Sequence, residues 1–173
     1  MPAAARSSLK PPGPKGIEMP ATAVHDVPDD QRRAIEWDVT RLINHYVNLN
    51  DAQDWAAVAA LYTEDARFAR PSKPGAFIEG REAILASFLA RPARAQRHVM
   101  ANIVVDVIDA DTARAFSVIV LYMGDAADDG GPGAGLPVKD PNSPLIGTFT
   151  DLIVRTGAGW RFAERVGALD FRP

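Results

Sequence analysis

The chain has 173 residues, a formal net charge of −3 and no cysteine, with a pI near 5.6. Such a balance offers no basic field for a phosphate backbone, and no segment clusters Lys and Arg with interleaved aromatics, so nucleic acid is not an expected partner. Disulfides, thiol nucleophiles and thiolate metal sites are excluded together, and the apolar runs are too short to span a bilayer.

Residues 1–28 carry six prolines, scattered basic residues and no apolar block. Without a hydrophobic segment behind the positive start this is not a secretory signal, and it reads as a disordered tail on a cytoplasmic protein. The remaining 29–173 read as one domain. From Asp29 the chain turns amphipathic. Asp29 or Asp30 is placed to cap a helix through Asn50, since Ile35, Val39, Leu42, Ile43, Tyr46 and Leu49 recur at helical spacing. A second helical piece is expected from Asp54 to Tyr62, closed by Thr63, Glu64 and Asp65. ARFAR, PSKPG and AFIEG then read as strand, turn and returning strand, and Arg81 to Leu89 as a third helix stopped by Pro92.

Beyond Pro92 the hydrophobic period changes from helical to alternating. Strands are expected over Gln96–Asp109, Thr112–Met123, Ile146–Arg155 and Trp160–Phe171, as an antiparallel meander. The Gly-, Pro- and Asp-rich stretch 124–145 is too long for a hairpin connection and reads as a long loop, either a lid or disordered. Helices followed by antiparallel strands predict an α+β fold, with the helices on one face of the sheet and a pocket between the layers.

Four segments carry a resemblance: YVNLNDAQDWAAVAALYTEDARF, GREAI, RHVMAN and GTFTDLIVRTGAGWRFAERV. In order and separation they resemble the NTF2-like superfamily in its SnoaL-like branch, which includes scytalone dehydratase, hexachlorocyclohexane dehydrochlorinase and polyketide cyclases. The resemblance covers roughly Arg33 to Asp170 and implies a cone, a strongly curved antiparallel sheet wrapped around the N-terminal helices. It also implies self-association as a homodimer or homotrimer, for which Val104, Val118 and Val120 offer an apolar outer face.

The same resemblance implies a site. Asp51 and His98 fall where the dehydratase and the dehydrochlorinase carry their catalytic Asp and His, and a carboxylate on one ring nitrogen sets the tautomer and raises the basicity of the other. Their structural readings are a cap for the segment at Asp54 and a strand histidine. Arg165 matches the arginine that stabilises the leaving anion in the dehydrochlorinase. Strict alternation opposes this: if Phe162 and Val166 face the core, Arg165 faces outward unless a bulge resets the register. Phe68 falls at a pocket-tryptophan position, and Tyr46, Asn102, Tyr122 and Phe149 are candidates for substrate binding or lining. Asp151 reads as structural. The chain departs from the dehydratase pattern in having Asn50 before Asp51, no hydroxyl at Phe68 and no third-strand histidine.

Three histidines, of which His25 lies in the tail and His45 on the first helix, make a poor supply of metal ligands. Asp125, Asp128 and Asp129 lack the spacing of a calcium loop. No glycine-rich nucleotide fingerprint or GxSxG elbow is present. The activity that the resemblance implies is a cofactor-independent lyase or isomerase, dehydratase-like, acting on a small, mostly apolar cyclic molecule. The alternative is a non-catalytic binding or assembly domain, such as a ring-hydroxylating dioxygenase small subunit.

Overall fold

The structure, a computed structural model, describes residues 27–125 and 135–171. Most of the expected tail and the centre of the expected long loop, 126–134 with Asp128 and Asp129, lie outside these residues. Val27 packs against the core and Pro28 occupies the N-cap position of the first helix, so the last two residues of the expected tail belong to the folded unit.

Helix α1 spans Asp29–Asp51 and buries Ile35, Val39, Leu42, Ile43, Tyr46, Val47 and Asn50, one stripe at helical period. Its start differs from expectation. Neither Asp29 nor Asp30 is the cap; both occupy the first turn, where carboxylates favour the helix dipole, and the Pro28 carbonyl accepts from the Arg32 amide at 2.8 Å. Gln53, at φ 56°, breaks the helix, and Asp54 caps α2, Trp55–Ala60, by accepting from the Ala57 amide at 3.1 Å. This second helix is shorter than its sequence suggests. Tyr62 opens strand β1, Tyr62–Ala69, because its ring is buried against Tyr46, Phe68 and Phe162 and tertiary packing overrides local propensity. Strand β2, Phe77–Glu79, returns antiparallel to β1 and leads into helix α3, Arg81–Leu89.

Strands β3 (Ala95–Val107), β4 (Thr112–Asp125), β5 (Val138–Lys139), β6 (Leu145–Thr156) and β7 (Gly159–Leu169) complete a curved sheet of order β2-β1-β7-β6-β4-β3, with β5 paired to the end of β4. The meander β3-β4-β6-β7 is antiparallel as expected, but β1 runs parallel to β7, so the sheet is mixed. The C-terminal part of the 124–145 stretch is partly strand, since Lys139 and Val138 pair with Gly124 and Asp125.

Two bulges govern which side chains face α1. Along β3, Ala101 pairs with Val118 while Val104 pairs with Phe116, so β3 advances three residues against two on β4. Along β7, Leu152 pairs with Glu164 while Ile153 pairs with Phe162, leaving Ala163 as the extra residue. Each insertion reverses the alternation beyond it. Phe162 and Arg165 are therefore both fully buried on the inner face, although they stand at opposite parity. The core lies between α1 and this inner face. On the outer face Val99, Val104 and Tyr122 remain exposed.

Candidate functional site

A cavity of about 240 Å³ opens between α1 and the inner sheet face. A dry apolar cavity of roughly 150 Å³ accommodates benzene, so this volume suits a substituted ring. Its walls are mostly apolar: Tyr46 from α1, Phe68 from β1, Ile119 and Leu121 from β4, and Phe149 from β6. The polar lining comes from Asn50, Arg70, Ser72, Arg91 and His98. Gly167 helps to shape the rim, because a Cβ there would lie 2.5–2.7 Å from the Pro71 ring, and only a bare backbone lets the segment after β1 settle on β7.

His98 stands on β3, before the bulge, and points inward opposite Leu121. The last turn of α1 brings Asp51 beside it. His98 Nδ1 lies 2.6 Å from Asp51 Oδ1, with the two side chains 9% and 4% exposed. The same carboxylate accepts the His98 backbone N–H at 3.2 and 3.0 Å, and Arg97 approaches its other oxygen at 3.5 Å. Asp51 is thereby fixed from two directions and lies behind the histidine, outside the cavity lining. With the carboxylate at Nδ1, the ring donates there and leaves Nε2 as an acceptor. Burial lowers the His98 pKa from its ordinary 6.5, outweighing the hydrogen bond and charge of Asp51, which pull upward; Arg91 and Arg165 add to the lowering. The net direction is opposite to the rise in basicity expected from the carboxylate alone. Desolvation of the imidazolium is the larger effect here.

Arg165 faces inward through the Ala163 bulge, yet it does not line the cavity. Its guanidinium lies beneath the aromatic floor, 4.0 Å from the centre of Phe149, 4.3 Å from Tyr46 and 4.5 Å from Phe162, with Nη1 3.3 Å from Asp151 Oδ2. Asp151 is equally buried, and burial pushes its pKa up to about 6 against the pull of Arg165. The expected anion-stabilising arginine is thus a buried partner of Asp151, the residue left out of the expected site.

The other expected positions divide. Tyr46, Phe68 and Phe149 line the cavity. Asn102 does not: at φ 48° it sits in the β3 bulge and is exposed, so its four-residue spacing from His98 no longer places the two on one face. Tyr122 is also displaced, being 41% exposed on the outer face, because adjacent strand residues cannot both point inward and Leu121 and Met123 do.

Two cavity arginines are absent from the sequence-derived set. Arg70 follows β1 and donates to the Ser87 carbonyl, while its Nε is buried without a partner. Arg91 follows α3 and lies 4.1 Å above the Phe88 ring, within a stack in which Phe88 packs on both Trp55 and Phe68. The signal available in the sequence is that Arg70 directly follows the apolar end of β1 and Arg91 stands two residues past the apolar end of α3. Among the described residues no group of three or more His, Cys, Asp or Glu side chains converges as a metal site, and no helix is long and apolar enough to cross a membrane.

A family model described as the SnoaL-like domain matches residues 31–166. No curated protein matches. Among solved structures, a protein from Novosphingobium aromaticivorans provisionally named a scytalone dehydratase superposes with TM-score 0.67 at 20% identity, covering 82% of this chain and 88% of that one. An NTF2-like protein with a cystatin-like fold from the same organism gives 0.64 at 25% identity, covering 83% and 88%. A type 2 hexachlorocyclohexane dehydrochlorinase gives 0.65 at 14% identity, covering 83% and 90%.

Proposed function

Because the chain belongs to the SnoaL-like family, we propose that it is a cofactor-independent lyase or isomerase acting on a small, mostly apolar cyclic molecule, with His98 as the base that removes a proton from carbon. The observation that carries this reading is the 2.6 Å contact between His98 Nδ1 and Asp51 at the wall of a largely apolar cavity. The ring is held in one tautomer, its basic Nε2 is free of protein partners among the described residues, and the lowered pKa keeps it unprotonated at neutral pH.

In the proposed step the carbon-bound proton passes to Nε2. The released electron pair either expels a leaving group from the adjacent carbon, which makes the protein a lyase, or delocalises into an adjacent carbonyl and is reprotonated elsewhere, which makes it an isomerase. Asp51 positions the ring and stabilises the imidazolium that forms. Tyr46, Phe68 and Phe149 exclude water. Arg165 supports the floor through Asp151, and Asn102 and Tyr122 take no part.

The test is proton exchange in D₂O, followed by NMR over a panel of cyclic ketones and cyclic compounds bearing a leaving group beside an acidic C–H. Catalysed exchange that disappears in His98→Gln supports the reading. Exchange unchanged in that variant overturns it, and retained ligand binding with no exchange in the wild type assigns the cavity to a binding domain instead.

A further inference from the structure

We propose that Arg70 and Arg91 form a receptor for a carboxylate carried by the cyclic ligand. Both arginines line the cavity, and no Asp or Glu is among the lining residues. Neither arginine makes an ion pair among the described residues, whereas Arg32, Arg67, Arg94, Arg97 and Arg165 each have a carboxylate within 4.0 Å.

Two cations facing one largely apolar space without a counter-charge are costly in isolation. The cost is visible at both. Burial lowers the pKa of Arg91, with the charge of Arg70 adding to that lowering, and Arg70 keeps a buried Nε–H unpaired. A carboxylate entering the cavity would supply the missing charge and acceptors at once, and a planar guanidinium suits its two oxygens.

The placement is also specific. Arg91 is held over Phe88 at 4.1 Å, and Arg70 is tied to the Ser87 carbonyl, so α3 and its end fix both groups. Arg165 cannot serve this purpose, being buried beneath Phe149 and Tyr46 and paired with Asp151. The ligand is then an aromatic or alicyclic carboxylic acid, its ring against Phe68 and Phe149 and its carboxylate toward the two arginines. This assignment deepens the proton-abstraction reading by naming the substrate class, but it is tested by binding alone.

Isothermal titration of the full chain with benzoate and with its neutral isostere benzamide provides that test. Wild-type protein is expected to prefer benzoate by roughly 10- to 100-fold, the range of a hydrogen-bonded charge contact. Arg91→Gln and Arg70→Gln should each reduce the preference toward unity while leaving benzamide affinity nearly unchanged. Arg91→Lys should retain part of the preference, and melting curves should show all three variants folded. The benzoate preference of the wild type is read by binding and the base assignment by D₂O exchange, which separates failure of the base assignment from failure of this one. Equal binding of the two probes, no benzoate binding by folded wild type, or a preference that survives both Gln variants would overturn the proposal.

Discussion

His98 Nδ1 meets Asp51 Oδ1 at 2.6 Å, and the same carboxylate accepts the His98 backbone N–H, so one acidic side chain at the end of α1 holds both the ring and the backbone of a residue 47 positions away. This double hold fixes ring and strand backbone together, which is what the proposed base requires. Asp51→Asn should keep the shape and lose the charge that favours the imidazolium. We expect exchange rates to fall by about 10²- to 10⁴-fold with little change in KM, given the usual magnitude of base catalysis. A purely structural role for Asp51 would instead lower the melting temperature and leave the rate per folded molecule unchanged.

The pH profile follows from burial of the imidazole. Because the folded pKa lies below 6.5, activity should persist through neutral pH and be lost only as pH falls through that lower value. Stability carries the same sign: between the folded and unfolded values the unfolded state binds more protons, so folding weakens as pH decreases across that window. An acid limb of the rate profile centred above 6.5 would contradict burial as the dominant effect.

The buried Arg165–Asp151 pair predicts a non-additive pattern. Asp151→Asn or Arg165→Met alone leaves one buried charge uncompensated and should cost about 3–5 kcal/mol, whereas Asp151→Leu with Arg165→Met should cost less than the two single changes together. Urea denaturation measures all of these. Asp151 also has a pH signature opposite to that of His98. Its pKa is raised from 3.8 to about 6, so the stability tied to its protonated form is complete below 3.8 and is lost as pH rises to about 6. Arg165→Met removes the cation that pulls this value down and should move the upper edge of the window higher.

Gly167→Ala tests how the rim is built. The new methyl would lie 2.5–2.7 Å from Pro71, and a proline ring with its backbone nitrogen has no flexible end to yield. A loss of about 1–3 kcal/mol is expected, as for other overpacked sites, read from thermal unfolding. Unchanged stability would show that the segment carrying Arg70 and Pro71 can move away freely.

Much of this molecule was legible in its letters. The burial stripe of α1 follows from Ile35, Val39, Leu42 and Tyr46 at helical spacing, and the four long strands follow from alternation, because both periods are imposed by local backbone geometry. The Asp51–His98 pair came from motif resemblance, and its partners meet because one ends a helix while the other lies on a strand packed against it. The positions that alternation misplaced lie where the strands are irregular or where a single face must be chosen. Asn102 sits in one bulge, and Arg165 turns inward through the other, since one unpaired residue reverses every side chain after it and carries no fixed local signature. Tyr62 left its helix because a buried aromatic cluster outweighed a short segment's propensity. Arg70 and Arg91 stand 21 positions apart after different elements, and only the folding of α3 against β1 aims both into one cavity. The sequence by itself thus determined the periodic elements and, through motif resemblance, the pairing of Asp51 with His98, while long-range packing decided which charges line the cavity and which are buried away from it.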